Sequence, residues 1–116
     1  MRAWRAAVNS WHGLVFAIRE ESAFRQELML AALLTPCAFI FSTTHIEKIL
    51  MLGTLLIVLI VELLNSSVEA AVDRISYENH GLSKRAKDFG SAAVMLALIL
   101  CVATWGLILF PFVIKL

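Results

Sequence analysis

Glu62, Asn65 and Glu69 interrupt the end of a long apolar run, in Val-Glu-Leu-Leu-Asn-Ser-Ser-Val-Glu-Ala-Ala-Val-Asp-Arg from Val61 to Arg74. On a helix a seven-residue step turns about 700°, almost two full turns, so Glu62 and Glu69 share one face with Asn65 between them. Asp73 extends the stripe by a further turn. An ionisable group near bilayer depth costs roughly 2.5 kcal/mol or more, so such groups mark either function or a required helix contact. A carboxylate at that depth can take a proton from a hydroxyl as a general base. Several carboxylates with room for water suit a hard divalent cation such as Mg²⁺, which binds through one or two carboxylates plus the phosphates of a substrate. Lys87, nearby in the next polar stretch with Asp88 and Ser91, is of the type that meets phosphates.

The elements that must position these groups are apolar. Of the 116 residues, 60% are hydrophobic and 16% charged, against about 45–50% apolar in soluble domains. The chain reads as one small integral membrane domain over 1–116, all α. Three transmembrane helices are expected at about 22–41, 46–72 and 88–114, the last with no charge from 89 to 114. Pro36 falls inside the first and is tolerated there better than in a soluble helix. Ahead of them, residues 1–20 place Trp4, Val8, Trp11, Val15 and Ile18 at three- and four-residue steps with Arg2, Arg5, Asn9, His12 and Arg19 interleaved. That is the pattern of an amphipathic helix lying on the membrane surface. No apolar run of seven residues precedes Glu20 and no A-x-A-like site follows one, so no cleaved signal peptide is expected.

Ten basic and nine acidic residues nearly cancel, which gives no argument for a nucleic-acid partner. Their placement sets orientation. Arg2, Arg5, Arg19 and Arg25 precede the first span and Arg74, Lys84, Arg85 and Lys87 occupy the second connection, whereas only Lys48 and Lys115 lie on the other side. The N-terminus and the second connection are therefore expected in the cytosol, in a multi-pass membrane protein. Glu62 then sits about 21 Å along the helix axis from Lys48, near the cytosolic boundary. Glu20, Glu21, Arg25, Gln26 and Glu27 open the first span on that same side. Cys37 and Cys101 both sit in apolar runs without C-x-x-C spacing, which argues against a metal or disulfide framework.

Other readings of the same residues stand beside these. Glu62 with Asn65 also fits a polar contact that fixes helix pairing, with Ser66, Ser67, Ala70 and Ala71 as a small-residue packing face. Glu69 and Asp73 can be interfacial acids paired with Arg74 or Lys87. Glu20, Glu21 and Glu27 suit a solvated helix start. Lys84, Arg85 and Lys87 are topology signals, and Trp4, Trp11 and Trp105 are interfacial anchors or packing groups. His12, His45 and His80 lack metal-ligand spacing. A non-enzymatic assembly subunit or ion-conducting oligomer is a further possibility, although residues 49–61 offer only Gly53 and Thr54 for a polar path. The five glycines form neither G-x-x-x-x-G-K-[ST] nor G-x-G-x-x-G, so any phosphoryl transfer must rest on positioning, metal and electrostatics without a phosphate-cradling loop.

Three stretches carry a resemblance: Glu21 to Glu27, Glu62 to Arg74 and Ala86 to Val94. Together, and in this order, they resemble the prokaryotic diacylglycerol kinase family, whose Glu-x-x-Asn-x-x-x-Glu-x-x-x-Asp signature matches Glu62, Asn65, Glu69 and Asp73. The resemblance implies a homotrimer, each protomer a surface helix plus three transmembrane helices, that moves the γ-phosphate of MgATP to the hydroxyl of diacylglycerol. It implies Glu62 as catalytic base, Glu21 and Glu69 as holders of Mg²⁺, and Asn65, Lys87 and Asp88 as shapers of the nucleotide and transfer site. It further implies Arg2, Asn9, Glu78, Asn79 and His80 against ATP, and Ser10, Arg25, Glu27, Ser91 and Trp105 along the lipid and transfer region. Asn9 departs from an often aromatic position of that family. Undecaprenol is the alternative acceptor, since some relatives with these motifs use it.

Overall fold

In the computed structural model, which describes residues 1–75 and 81–115, the chain is four helices. They are α1 (Arg2–Glu20), α2 (Ser22–Phe41), α3 (His45–Ile75) and α4 (Gly81–Lys115). The expectation of three apolar spans holds: α2, α3 and α4 are each long and apolar enough to cross a membrane. At 31 and 35 residues, α3 and α4 reach about 46 and 52 Å, well beyond a hydrocarbon core of about 30 Å. Their polar ends therefore extend past the apolar layer. α4 begins at Gly81, seven residues ahead of the apolar run, because Leu82, Lys84, Arg85 and Ala86 are strong helix formers that continue the helix. α2 runs through Pro36 as one helix.

Each described corner has a local cause. Between α1 and α2 a single extended residue, Glu21 (φ −107°, ψ 102°), breaks the helix. Arg25, one turn into α2, reaches back and donates from Nη1 to the carbonyls of Ile18 (3.2 Å) and Arg19 (2.7 Å). These are carbonyls that a helix C-terminus leaves without partners, and a cation there also suits the helix dipole. At the α2–α3 corner Thr44 Oγ1 accepts from the Glu47 amide at 3.1 Å, and Glu47 Oε1 accepts from the Thr43 amide at 2.8 Å and the Thr44 amide at 3.3 Å. This is a capping box at the start of α3, written in the sequence as Thr44-x-x-Glu47. Lys48 then stands over the Phe39 ring, 5.1 Å from its centroid.

The packed core lies between α2, α3 and α4 and is centred on Met51, which is fully buried together with Ala38. Trp105 crosses from α4 and donates Nε1–H to the Met51 carbonyl at 3.1 Å, where the Thr54 hydroxyl also donates at 3.0 Å. The bond disposes of the indole N–H, the one polar atom of a side chain otherwise suited to an apolar layer. Cys37 and Cys101 are free, half-buried thiols beside this core. Outside it the surface remains apolar: Leu33, Ile40, Val102 and Leu107 are all largely exposed. In water such a surface would be a liability, whereas in lipid it is the required exterior.

Candidate active site

α3 changes register from apolar packing to a polar stripe one turn after Val58. Val58 is buried, and Glu62, one turn on, is the only buried charged side chain among the described residues, at 7% exposure. Asn65 follows, and its Nδ2 donates to Glu69 Oε1 at 3.3 Å. Three further carboxylates border Glu62 closely enough to repel its charge: Glu69 on the same helix, Glu21 at the α1–α2 corner and Glu27 one turn into α2. Acids from three elements thus converge on one place. Two oxygens there, Glu27 Oε2 and Asn65 Oδ1, are buried and accept no hydrogen bond from the described residues. Buried acceptors are normally satisfied, so each marks a point that the described residues leave incomplete.

The cationic side comes from α4. Lys87 Nζ lies 2.6 Å from Asp73 Oδ1, with both side chains about half exposed, and its charge is also within reach of Glu69. Of the alternatives the sequence leaves open for Asp73, the pairing is with Lys87. Asp88 pairs instead along its own helix, with Lys84 Nζ at 2.8 Å. The site therefore grades from a buried acid at Glu62 to a solvated ion pair at Asp73–Lys87, about 16 Å apart along α3.

Space for a substrate lies beside these groups. A cavity of about 530 Å³ between α1 and α3 is lined by Ser10, Ala17, Glu21, Leu63, Ser66 and Ala70, among others. A second, almost wholly apolar cavity of about 390 Å³ shares Leu14 and Leu63 with it and runs between α1, α2 and α3. Glu27 sits on the rim of a third, of about 160 Å³, among Leu30, Leu55, Val58 and Val102. Among the described residues no three acids, histidines or cysteines close around one point, so the protein alone builds no metal cage. The convergent carboxylates suit Mg²⁺ bound through one or two carboxylates and substrate phosphates; of these acids Glu69 is exposed and Glu21 half-buried.

A sequence model of prokaryotic diacylglycerol kinases matches residues 8–109. The chain belongs to the prokaryotic diacylglycerol kinase family. Named diacylglycerol kinases are similar to it over most of their length. That of Haemophilus influenzae is 52% identical across 87% of this chain and 86% of its own. Those of Pseudomonas aeruginosa and Escherichia coli are 48% and 46% identical, each across 93% of this chain and 88% of their own. Across the matched residues the fold sets Glu62, Asn65, Glu69 and Asp73 along α3 and brings Glu21 and Glu27 within charge range of Glu62.

Other residues singled out from the sequence lie elsewhere. Arg2, Asn9 and Ser10 are exposed on α1, Ser10 facing the larger cavity. Ser91 is exposed on α4. Arg25 is occupied at the α1 carbonyls. Trp105 is buried at the level of Met51, about 16 Å from Glu62 along α3. Glu78, Asn79 and His80 lie outside the described residues. Sequence reasoning missed Gly90, which sits directly against the Asn65 side chain, and treated Ser66 only as packing although it lines the larger cavity.

Proposed function

We propose that this chain transfers the γ-phosphoryl group of MgATP to the hydroxyl of diacylglycerol, giving phosphatidic acid and ADP, at the cytosolic boundary of a bacterial inner membrane. The observation that carries the reading is Glu62: a buried carboxylate at the end of an apolar stretch, one turn from Asn65 and two turns from Glu69. Glu62 acts as general base. It accepts the hydroxyl proton as the acceptor oxygen bonds to the γ-phosphorus and the bond to the ADP oxygen breaks. Glu69, about 10 Å further along the axis, stands at the depth of a soluble nucleotide, and with Glu21 it would hold Mg²⁺. Bound there with the phosphates, Mg²⁺ would neutralise charge on the transferring group. Asn65 orients the Glu69 carboxylate, and Lys87 and Asp88 shape the phosphate end.

In this reading α1 lies along the membrane surface, with Trp4 and Trp11 in the interface and Arg2 and Asn9, together with Glu78, Asn79 and His80, beside ATP. Ser10, Arg25, Glu27 and Ser91 belong to the lipid and transfer side, whereas Trp105 is taken up by the core at Met51. The working form is a homotrimer. Three thin helices leave much apolar surface open and enclose the acids only partly, so a neighbouring protomer completes the site.

The reading is tested by incubating purified protein in mixed micelles with labelled MgATP and either diacylglycerol or undecaprenol. Label is expected in phosphatidic acid, and Glu62→Gln serves as the blank. Preference for undecaprenol would keep the mechanism and change the acceptor. Absence of transfer to either lipid by folded protein would return the stripe to a helix-pairing role.

A further inference from the structure

Glycine is the poorest helix former after proline, and none of the five here uses the backbone freedom that usually justifies it, since no glycine has a positive φ. Four of them, Gly13, Gly53, Gly81 and Gly106, have open space where a side chain would begin. Gly90 is different. A Cβ built there would overlap Asn65 Oδ1, would stand 3.3 Å from Asn65 Cγ and would touch Asn65 Cα at 3.9 Å. α3 and α4 therefore meet backbone to side chain at this level, with the Asn65 amide laid across the bare Gly90 backbone. The same amide leaves Oδ1 buried without a hydrogen-bond donor and directs Nδ2 to Glu69.

We infer that Gly90 is a positioning residue of the phosphoryl-transfer site, acting by leaving room for the one orientation of Asn65 that holds the Glu69 carboxylate towards a metal-bound nucleotide. The inference rests on the proposed roles of Asn65 and Glu69. An added methyl displaces Oδ1 outright and requires Cγ, at 3.3 Å, to give by a few tenths of an ångström. Nδ2 shares the amide plane with Oδ1 and moves with it, so the Asn65–Glu69 hydrogen bond is disturbed. The fold gives way easily, since a short side chain moves and no backbone needs to. The loss falls on Glu69.

The test compares the full chain in mixed micelles with Gly90→Ala, Asn65→Ala, the double variant and Gly106→Ala. Gly106→Ala lies on the same helix and meets nothing. Binding of Mg²⁺ with a non-hydrolysable ATP analogue is measured beside turnover and thermal midpoint. Gly90→Ala is expected to bind the Mg²⁺–nucleotide about 10-fold more weakly or worse, the range seen when a ligand's supporting partner is lost, with Gly106→Ala unchanged. In the Asn65→Ala background, adding Gly90→Ala should cause no further loss, because the obstructed amide is gone. Wild-type nucleotide affinity in Gly90→Ala would overturn the inference, and so would equal losses from Gly90→Ala in both backgrounds. Wild-type turnover and nucleotide affinity in Asn65→Ala would instead remove Asn65 from the site. In that case a midpoint change from Gly90→Ala seen only with Asn65 present supports the contact, and an identical change in both backgrounds overturns it.

Discussion

The α3–α4 pair is built in two different ways along its length. Around Met51 the helices close on a fully buried side chain, and the Trp105 and Thr54 donors both find the Met51 carbonyl. Around Glu62 the same helices present a buried acid bordered by Glu21, Glu27 and Glu69, and Asn65 Oδ1 and Glu27 Oε2 lack partners. The first arrangement minimises free energy within the chain. The second leaves polar groups and like charges that the described residues do not satisfy among themselves. Continuous helices let the packed end hold the reactive end in register, which a site on a loop would lack.

Four substitutions sharpen that contrast, from the largest expected effect downwards. Met51→Ala should lower unfolding stability by about 2–5 kcal/mol through the cavity it leaves, with the folded fraction turning over normally. Loss of turnover beyond the loss of folded protein would show that the two ends are not separable. Glu69→Gln should do the reverse, weakening Mg²⁺-dependent nucleotide binding about 10- to 100-fold with an unchanged midpoint in calorimetry. Thr44→Ala removes one half of the capping box and should cost about 1 kcal/mol, with kcat unaffected. A drop in kcat there would tie the far corner to catalysis. Smallest is Asp73→Asn, which breaks a half-exposed ion pair. Such pairs contribute little to stability, so the midpoint should hold, while KM for ATP shifts by about threefold or less as Lys87 is released. An unchanged KM would mean that Lys87 does not meet the nucleotide.

Much of this division was legible in the chain. Apolar length marked three spans, and the 62–65–69–73 spacing placed the acids on one face. The Thr44-x-x-Glu47 cap was present as a pattern and was not read. What periodicity could not supply was which groups meet across helices, because that depends on the relative rotation and height of two helices. Asp73 finds Lys87 rather than its neighbour Arg74 for that reason. Gly90 is legible only once α4 is laid against Asn65. Nor does periodicity show that Arg25 binds the carbonyls of Ile18 and Arg19, which follows from a one-residue break at Glu21 that folds α2 back to the end of α1.

Phosphoryl transfer and thermal midpoint, measured on one preparation of Glu62→Gln, decide whether Glu62 is a reactive group or a helix-pairing contact. Transfer to diacylglycerol should fall by about 10²- to 10⁴-fold, the share a general base supplies, while the midpoint holds or rises as a buried charge is removed. A lowered midpoint with turnover retained per folded molecule would contradict the reactive role of Glu62.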